Sequence, residues 1–105
     1  MTRIVITGAC GKMGRVINDI VNTRDDCEIP AGIDIAGEQY AGFPVYKKLF
    51  DLPEKPDVII DFSHPSLLDE LLDYCKINNV PVVIATTGYT DEQIKQIKTA
   101  AGEGP

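Results

Sequence analysis

Three glycines near the start of the chain have the spacing of a phosphate-binding loop. Gly8, Gly11 and Gly14 form the pattern G-x-x-G-x-x-G directly after the apolar run 3–7. In such a loop the first glycine allows a sharp turn off a strand, the second lets the backbone approach a pyrophosphate, and the third lets a helix pack closely. The unpaired N–H groups and positive dipole end of the helix then face the phosphates. The pattern therefore predicts a dinucleotide-binding site.

Context separates this site from an ordinary glycine-rich turn, which is the alternative because the variant differs from the commonest G-x-G-x-x-G. The run before the loop reads as a short buried strand, and the residues after it show helical periodicity. The apolar residues that recur at helical spacing, and that we expect to form one buried helix face, are Met13, Val16, Ile17, Ile20 and Val21. A strand before the loop and a helix after it are what phosphate binding requires, so the context favours the functional interpretation.

An acidic residue ends the second predicted strand. This strand covers residues 27–34 and carries Pro30 at a position suited to an edge or to the first part of a strand. Asp34 lies twenty residues beyond Gly14. A carboxylate there can accept hydrogen bonds from both hydroxyls of an adenine ribose, and its charge would repel a 2′-phosphate. The alternative is a solvated aspartate in a loop.

Two further apolar runs, 56–62 and 80–86, read as parallel strands covered on both faces. Helical patterns follow them, the first with Ser66 as a candidate N-cap and the second with Thr90 and Gln93 as a T-x-x-Q capping box. The stretch between the second and third predicted strands looks irregular. This order predicts an α/β fold: a Rossmann-like open parallel sheet with helices on both faces and strand order 3-2-1-4. Such sheets bind ligands beyond the carboxyl ends of the strands, where the order reverses.

The composition limits the function. A chain of 105 residues makes one domain, and its net charge of −6 argues against nucleic-acid binding. No apolar run approaches the ~20 residues that a membrane span requires, and the first residues lack the pattern of a signal peptide. We therefore expect a cytoplasmic protein with no membrane partner. Three widely spaced cysteines suit neither a disulfide framework nor a zinc site, and we expect no metal.

Three motifs together resemble the 4-hydroxy-tetrahydrodipicolinate reductases, also called dihydrodipicolinate reductases. They are the segments 8–15 (GACGKMGR), 61–65 (DFSHP) and 85–90 (ATTGYT). The resemblance covers essentially the whole chain, 1–105, but only the amino-terminal, dinucleotide-binding part of that family. It implies a reductase of diaminopimelate and lysine biosynthesis, which moves a hydride from NADH or NADPH to a cyclic unsaturated dicarboxylate.

The resemblance also implies which residues hold the cofactor. Residues 8–13 would cradle the pyrophosphate and Asp34 would hold the adenosine ribose. Residues 62–63 would border the adenosine side, and residues 85–87 would lie along the nicotinamide half. The two threonines of that last range could orient the nicotinamide amide through their hydroxyls, because they stand at a strand end in the crevice. The full set is Gly8, Ala9, Cys10, Gly11, Lys12, Met13, Asp34, Phe62, Ser63, Ala85, Thr86 and Thr87.

By the same resemblance, the catalytic residues and the substrate-binding loop of the family lie beyond residue 105. We therefore expect no catalytic residue in this chain. We also expect an incomplete nucleotide-binding domain, inactive alone, from a parent protein that forms a homo-oligomer through the absent part. His64, the single histidine, is expected on the cofactor side or in solvent.

Cofactor preference depends on the residue after the ribose-binding acid. Family members that favour NADPH often carry a basic residue there, whereas Ile35 follows Asp34 in this chain. An unscreened like charge disfavours a 2′-phosphate by about 1 kcal/mol or more, so we predict NADH binding at least equal to NADPH binding. Lys12 or His64 would reverse the preference if its side chain reached the phosphate.

Two other functions fit the glycine loop. A stand-alone NAD(P)-binding regulatory module would bind a dinucleotide without catalysis. An extended short-chain dehydrogenase would need a tyrosine followed by a lysine four residues later. The residues at that spacing after the four tyrosines are Pro44, Phe50, Asn78 and Gln93, so the sequence gives this alternative no support.

Overall fold

The computed structural model describes residues 1–35, 39, 42–85 and 88–103, with residues 100–103 as backbone only. The elements are β1 (Thr2–Thr7), α1 (Lys12–Val21), β2 (Cys27–Ile33), β3 (Val45–Tyr46), β4 (Val58–Asp61), α2 (Leu68–Asn78), β5 (Val82–Ile84) and α3 (Asp91–Glu103). Single 3-10 turns precede β4 and α2, at Leu49–Asp51 and Pro65–Leu67. No helix in these described ranges has the length and apolar character needed to cross a membrane.

The five strands form one parallel sheet in the order β3-β2-β1-β4-β5. In the middle of the sheet, Val5 of β1 lies opposite Ala31 of β2 and Ile59 of β4. The register between β1 and β2 shifts between Arg3 and Val5, opposite the part of β2 that contains Pro30. Proline has no N–H to donate, so a shift of register there avoids a missing hydrogen bond in the ladder.

The predicted Rossmann-like α/β class is confirmed, but the strand order differs in one detail. The stretch predicted to be irregular contains the two-residue strand β3, whose Val45 and Tyr46 pair with Gly32 and Ile33 of β2. This short strand takes the place beside β2, so the strand predicted as third becomes β4 and lies beside β1. The order therefore reverses between β1 and β4. Two residues carry no readable periodicity, which is why the sequence did not predict β3.

Two apolar clusters cover the opposite faces of the sheet, because successive side chains of a strand point to opposite sides. Val5 belongs to the larger cluster with Leu68, Leu71 and Tyr74 of α2. Its neighbour Ile6 belongs to the smaller cluster, whose buried members are Ile6, Ala9 and Phe43 and against which Ile17 of α1 packs. Helices α1 and α2 thus lie on opposite faces, as predicted.

The predicted buried face of α1 is partly wrong. Val21 is buried and Ile17 packs on the smaller cluster, but Met13, Val16 and Ile20 are 47%, 41% and 51% exposed. Gly14 and Asn18 face the protein instead. A Cβ at Gly14 would lie 2.5 Å from the carbonyl oxygen of Ala9, so this close backbone contact fixes the rotation of the helix. The apolar periodicity predicted a helix with an apolar face, but it did not predict which residues of that helix contact the sheet.

The starts of the last two helices were predicted with different success. The T-x-x-Q box of α3 is confirmed, since the Thr90 N–H donates to Gln93 Oε1 (3.0 Å) and the Gln93 N–H donates to Thr90 Oγ1 (3.1 Å). The assignment of Ser66 as N-cap is wrong. Its N–H donates to Nδ1 of His64 (3.1 Å), which caps the 3-10 turn before α2. A histidine ring in this position supplies the acceptor that a hydroxyl was expected to supply.

Gly32 tests the tight packing between the sheet and the smaller cluster. A Cβ at this position would lie 2.6 Å from Cβ of Ala9 and 2.9 Å from Cε1 of Phe43, whereas a Cβ at Gly42 would meet nothing within 4 Å. We expect Gly32→Ala to lower the free energy of unfolding by about 1–3 kcal/mol, because overpacking displaces buried neighbours. Urea denaturation measures the difference, with Gly42→Ala as the matched control. Equal stability of the two variants would contradict the packing described.

Candidate functional site

The loop after β1 is held against the ends of two other strands. The N–H groups of Gly8 and Ala9 both donate to the carbonyl oxygen of Ile33 at the end of β2, at 2.7 and 3.1 Å. Gly8 has a φ of +71°, and a Cβ there would lie 2.5 Å from the carbonyl oxygen of Phe62. Only glycine combines this backbone conformation with this close approach. The predicted sharp turn at Gly8 is confirmed.

Helix α1 begins directly behind this turn. Gly11 is its N-cap, with an extended backbone and no side-chain capping bond, and the first turn contains no acidic residue. The Gly11 N–H donates to the carbonyl oxygen of Gly8 (3.1 Å). Lys12 and Met13, the first helical residues, are exposed. The positive end of the helix dipole is therefore not compensated by a carboxylate in its own first turn, which favours an external anion.

Asp34 fixes the loop from the side of β2. Its Oδ2 accepts a hydrogen bond from the N–H of Cys10 at 3.0 Å, and its own N–H donates to the carbonyl oxygen of Tyr46 at 2.9 Å. The residue is half-buried. The sequence predicted Asp34 beside the loop but not that its carboxylate would bond to the loop. The same side chain thus shapes the glycine loop and borders the space in front of it.

A crevice crosses the carboxyl ends of the strands where their order reverses. It consists of two adjoining depressions of about 320 and 350 Å³, which share Gly8, Gly11, Phe62, Ser63 and His64. The first is also lined by Ile33, Asp34, Ile35 and Leu67, and the second by Lys12, Met13, Pro65 and Ala85. The crevice therefore runs from the end of β2, past the glycine loop, to the end of β5. This is the position at which open α/β sheets bind ligands.

Most of the residues predicted from the resemblance meet in this crevice. The lining residues among them are Gly8, Gly11, Lys12, Met13, Asp34, Phe62, Ser63 and Ala85. Ala9 is fully buried under the loop, in the cluster with Ile6 and Phe43. Cys10 is half-buried, with its carbonyl oxygen accepting from Nε of Arg15 at 3.1 Å. Thr86 and Thr87 lie outside the described residues.

Asp61 ends β4, directly before the crevice residues Phe62 and Ser63, and the sequence predicted no role for it. Its carboxylate is fully buried at the end of β4 and accepts from the hydroxyls of Thr7, Ser63 and Tyr89, the last at 3.3 Å. The Ser63 N–H donates to it as well, at 3.2 Å. The sequence did contain a signal, because Asp61 is an acidic residue at the end of an otherwise apolar strand. A carboxylate buried there requires several hydrogen-bond donors around it.

The thiol of Cys75 on α2 reports the same buried surroundings. Burial, and to a smaller extent the negative charge of Asp61, together raise the pKa of Cys75 to about 11. The thiol is therefore neutral at pH 7, and at that pH it adds no second negative charge beside the carboxylate.

His64 is exposed and lines both halves of the crevice, as expected for a residue on the cofactor side or in solvent.

Comparison with known proteins gives a consistent result along the sequence. A family model described as "Dihydrodipicolinate reductase, N-terminus" matches residues 2–105. The 4-hydroxy-tetrahydrodipicolinate reductase of Clostridium novyi (strain NT) is 41% identical over 97 residues, which are 92% of this chain and 38% of that protein. The same enzyme of Clostridium tetani (strain Massachusetts / E88) is 37% identical over 105 residues, which are 100% of this chain and 41% of that protein. The chain thus spans about two fifths of the length of these relatives.

Solved structures agree with the sequence matches. A dipicolinate-bound dihydrodipicolinate reductase from Paenisporosarcina sp. TG-14 superposes with a TM-score of 0.78 at 34% identity, covering 96% of this chain and 43% of that one. A myo-inositol dehydrogenase from Corynebacterium glutamicum ATCC 13032 superposes with a TM-score of 0.79 at 23% identity, covering 99% of this chain and 34% of that one. The second match supports the fold alone.

Proposed function

This chain belongs to the dihydrodipicolinate reductase family, and from that premise we propose that it is the dinucleotide-binding part of an NAD(P)H-dependent 4-hydroxy-tetrahydrodipicolinate reductase. The parent protein would convert 4-hydroxy-tetrahydrodipicolinate to tetrahydrodipicolinate in diaminopimelate and lysine biosynthesis. One observation carries the proposal for this chain: the uncapped start of α1 behind Gly8 opens onto a crevice with Asp34 at one end and Ala85 at the other.

The residues of this crevice suit the parts of a dinucleotide in order. Within the loop 8–13, the N–H groups of residues 8–11 donate to protein acceptors and hold the loop in shape, so the start of α1 at Lys12 and Met13 offers its N–H groups and the helix dipole to the diphosphate. Asp34 offers a carboxylate to the adenosine ribose, and Phe62 and Ser63 border the same side. Ala85, with Thr86 and Thr87 as proposed partners, would receive the nicotinamide, which supplies the hydride when bound. The role of these residues is to bind and orient.

We assign no acid–base role to the residues that line the crevice. The exposed ring of His64 accepts a hydrogen bond from the Ser66 N–H, so its role in this structure is to cap a turn. The groups that bind the dicarboxylate and supply a proton would come from parts of the family outside residues 1–105. We further propose that the parent protein works in the cytoplasm as a homo-oligomer formed outside these residues.

A substitution at Gly11 tests the placement of the diphosphate. A Cβ there would have only the carbonyl oxygen of Gly8 nearby, at 3.3 Å, and the extended backbone suits a branched residue. We expect Gly11→Val in the intact protein to weaken NADH binding by about 100-fold or more, because the side chain blocks approach to the N–H groups. Calorimetric titration measures the affinity, with Gly42→Val as the control, because a Cβ at Gly42 would meet nothing within 4 Å and Gly42 does not line the crevice. Unchanged NADH affinity of Gly11→Val would mean that the phosphates bind elsewhere.

The charge of Asp34 sets the expected cofactor preference. No basic residue follows it, and Ile35 lines the same depression. We expect the dissociation constant of NADH to equal or lie below that of NADPH, since like charges in a partly buried site repel by about 1 kcal/mol or more. Titration of the intact protein with both cofactors measures this, and Ile35→Arg should move the preference about fivefold toward NADPH. A tenfold lower constant for NADPH in the unchanged protein would contradict the assignment.

A further inference from the structure

The segment between β5 and α3 is attached at both of its described ends to one residue. The carbonyl oxygen of Asp61 accepts the N–H of Ala85 at 2.9 Å, and its carboxylate accepts the hydroxyl of Tyr89 at 3.3 Å. Asp61 has 0% of its surface exposed, and it ends the strand beside which the sheet order reverses. One buried residue therefore holds both Ala85, which lines the crevice, and Tyr89.

The same carboxylate connects this segment to the other crevice loops. The hydroxyl of Thr7 donates to it from the end of β1, immediately before Gly8. Ser63 donates to it from the segment after β4 through its hydroxyl and its N–H. The carboxylate thus joins the end of β1, the residues after β4 and Tyr89 just before α3. Hydrogen bonds to a charged acceptor that is shielded from water are stronger than those between neutral groups. This network therefore holds the attached segments in fixed positions beside the crevice.

We propose that Asp61 is a positioning residue that fixes Ala85 through its carbonyl oxygen and Tyr89 through its carboxylate, at the nicotinamide end of the crevice. The inference rests on the proposed function, which assigns that end to Ala85 and its neighbours. Neither side chain needs to touch the cofactor. Their effect is to fix Ala85 and Tyr89 before the nicotinamide binds, so that less freedom is lost on binding.

The fold does not depend on the Tyr89 hydroxyl alone, which makes the proposal testable. The start of α3 has a second attachment, because Nε2 of Gln93 donates to the carbonyl oxygen of Pro65 at 2.9 Å. The Tyr89 side chain also packs against the larger apolar cluster. Tyr89→Phe keeps both features and removes the hydroxyl that donates to the carboxylate. It therefore separates positioning of the segment from folding better than a substitution of the buried Asp61.

The experiment compares two ligands in the intact protein. NADH spans the whole crevice, whereas ADP-ribose lacks the nicotinamide. We expect Tyr89→Phe to weaken NADH about tenfold and to leave ADP-ribose within about twofold of the unchanged protein. Tyr46→Phe is the matched control for the loss of a tyrosine hydroxyl, because Tyr46 lies on β3, at the sheet edge opposite to β5. Asp61→Asn should act in the same direction as Tyr89→Phe.

The possible outcomes separate this inference from its premise. A nicotinamide-selective loss supports it, because a merely structural role would weaken both ligands equally. Unchanged NADH affinity of Tyr89→Phe, or an equal loss of NADH and ADP-ribose, overturns it while leaving the proposed function intact. An unchanged protein that binds neither ligand overturns the proposed function and the inference with it.

Discussion

The rest of the site depends on one close backbone contact, between Gly8 at the end of β1 and the carbonyl group of Phe62 after β4. There is no room for a side chain at this contact, and the backbone has a positive φ. The turn it produces sends the chain directly into α1, with the N–H groups of the first turn facing the crevice. A helix dipole acts only near its terminus, so an error of a few ångströms in this turn would remove the interaction with a phosphate.

Two carboxylates flank this contact and do different work. Asp34 is half-buried, holds the loop through the Cys10 N–H and borders the crevice, where it can meet a ligand. Asp61 is fully buried and accepts from the hydroxyls of Thr7, Ser63 and Tyr89. The first suits recognition of a ribose, because part of it can be reached from the crevice. The second suits alignment of loops, because burial keeps its bonds free of competition from water.

The sequence predicted the parts of this arrangement that are encoded locally. The turn at Gly8, the acid at Asp34 and the box formed by Thr90 and Gln93 each depend on spacing within a short segment. The sequence did not predict that Met13, Val16 and Ile20 of α1 are exposed. The backbone contact at Gly14, and not the apolar periodicity, sets the rotation of that helix. The bond between Asp61 and Tyr89 joins residues 28 positions apart, so only the folded sheet brings them together.

On this structure, a dinucleotide places its diphosphate on the backbone N–H groups where β1 passes into α1. The most direct measurement is a crystal structure of the intact protein with NADH. We expect diphosphate density within hydrogen-bond distance of the N–H groups of Lys12 and Met13, with the adenosine ribose near Asp34 and the nicotinamide toward Ala85. Diphosphate density at any other place, with the loop 8–14 free of ligand, would contradict the account.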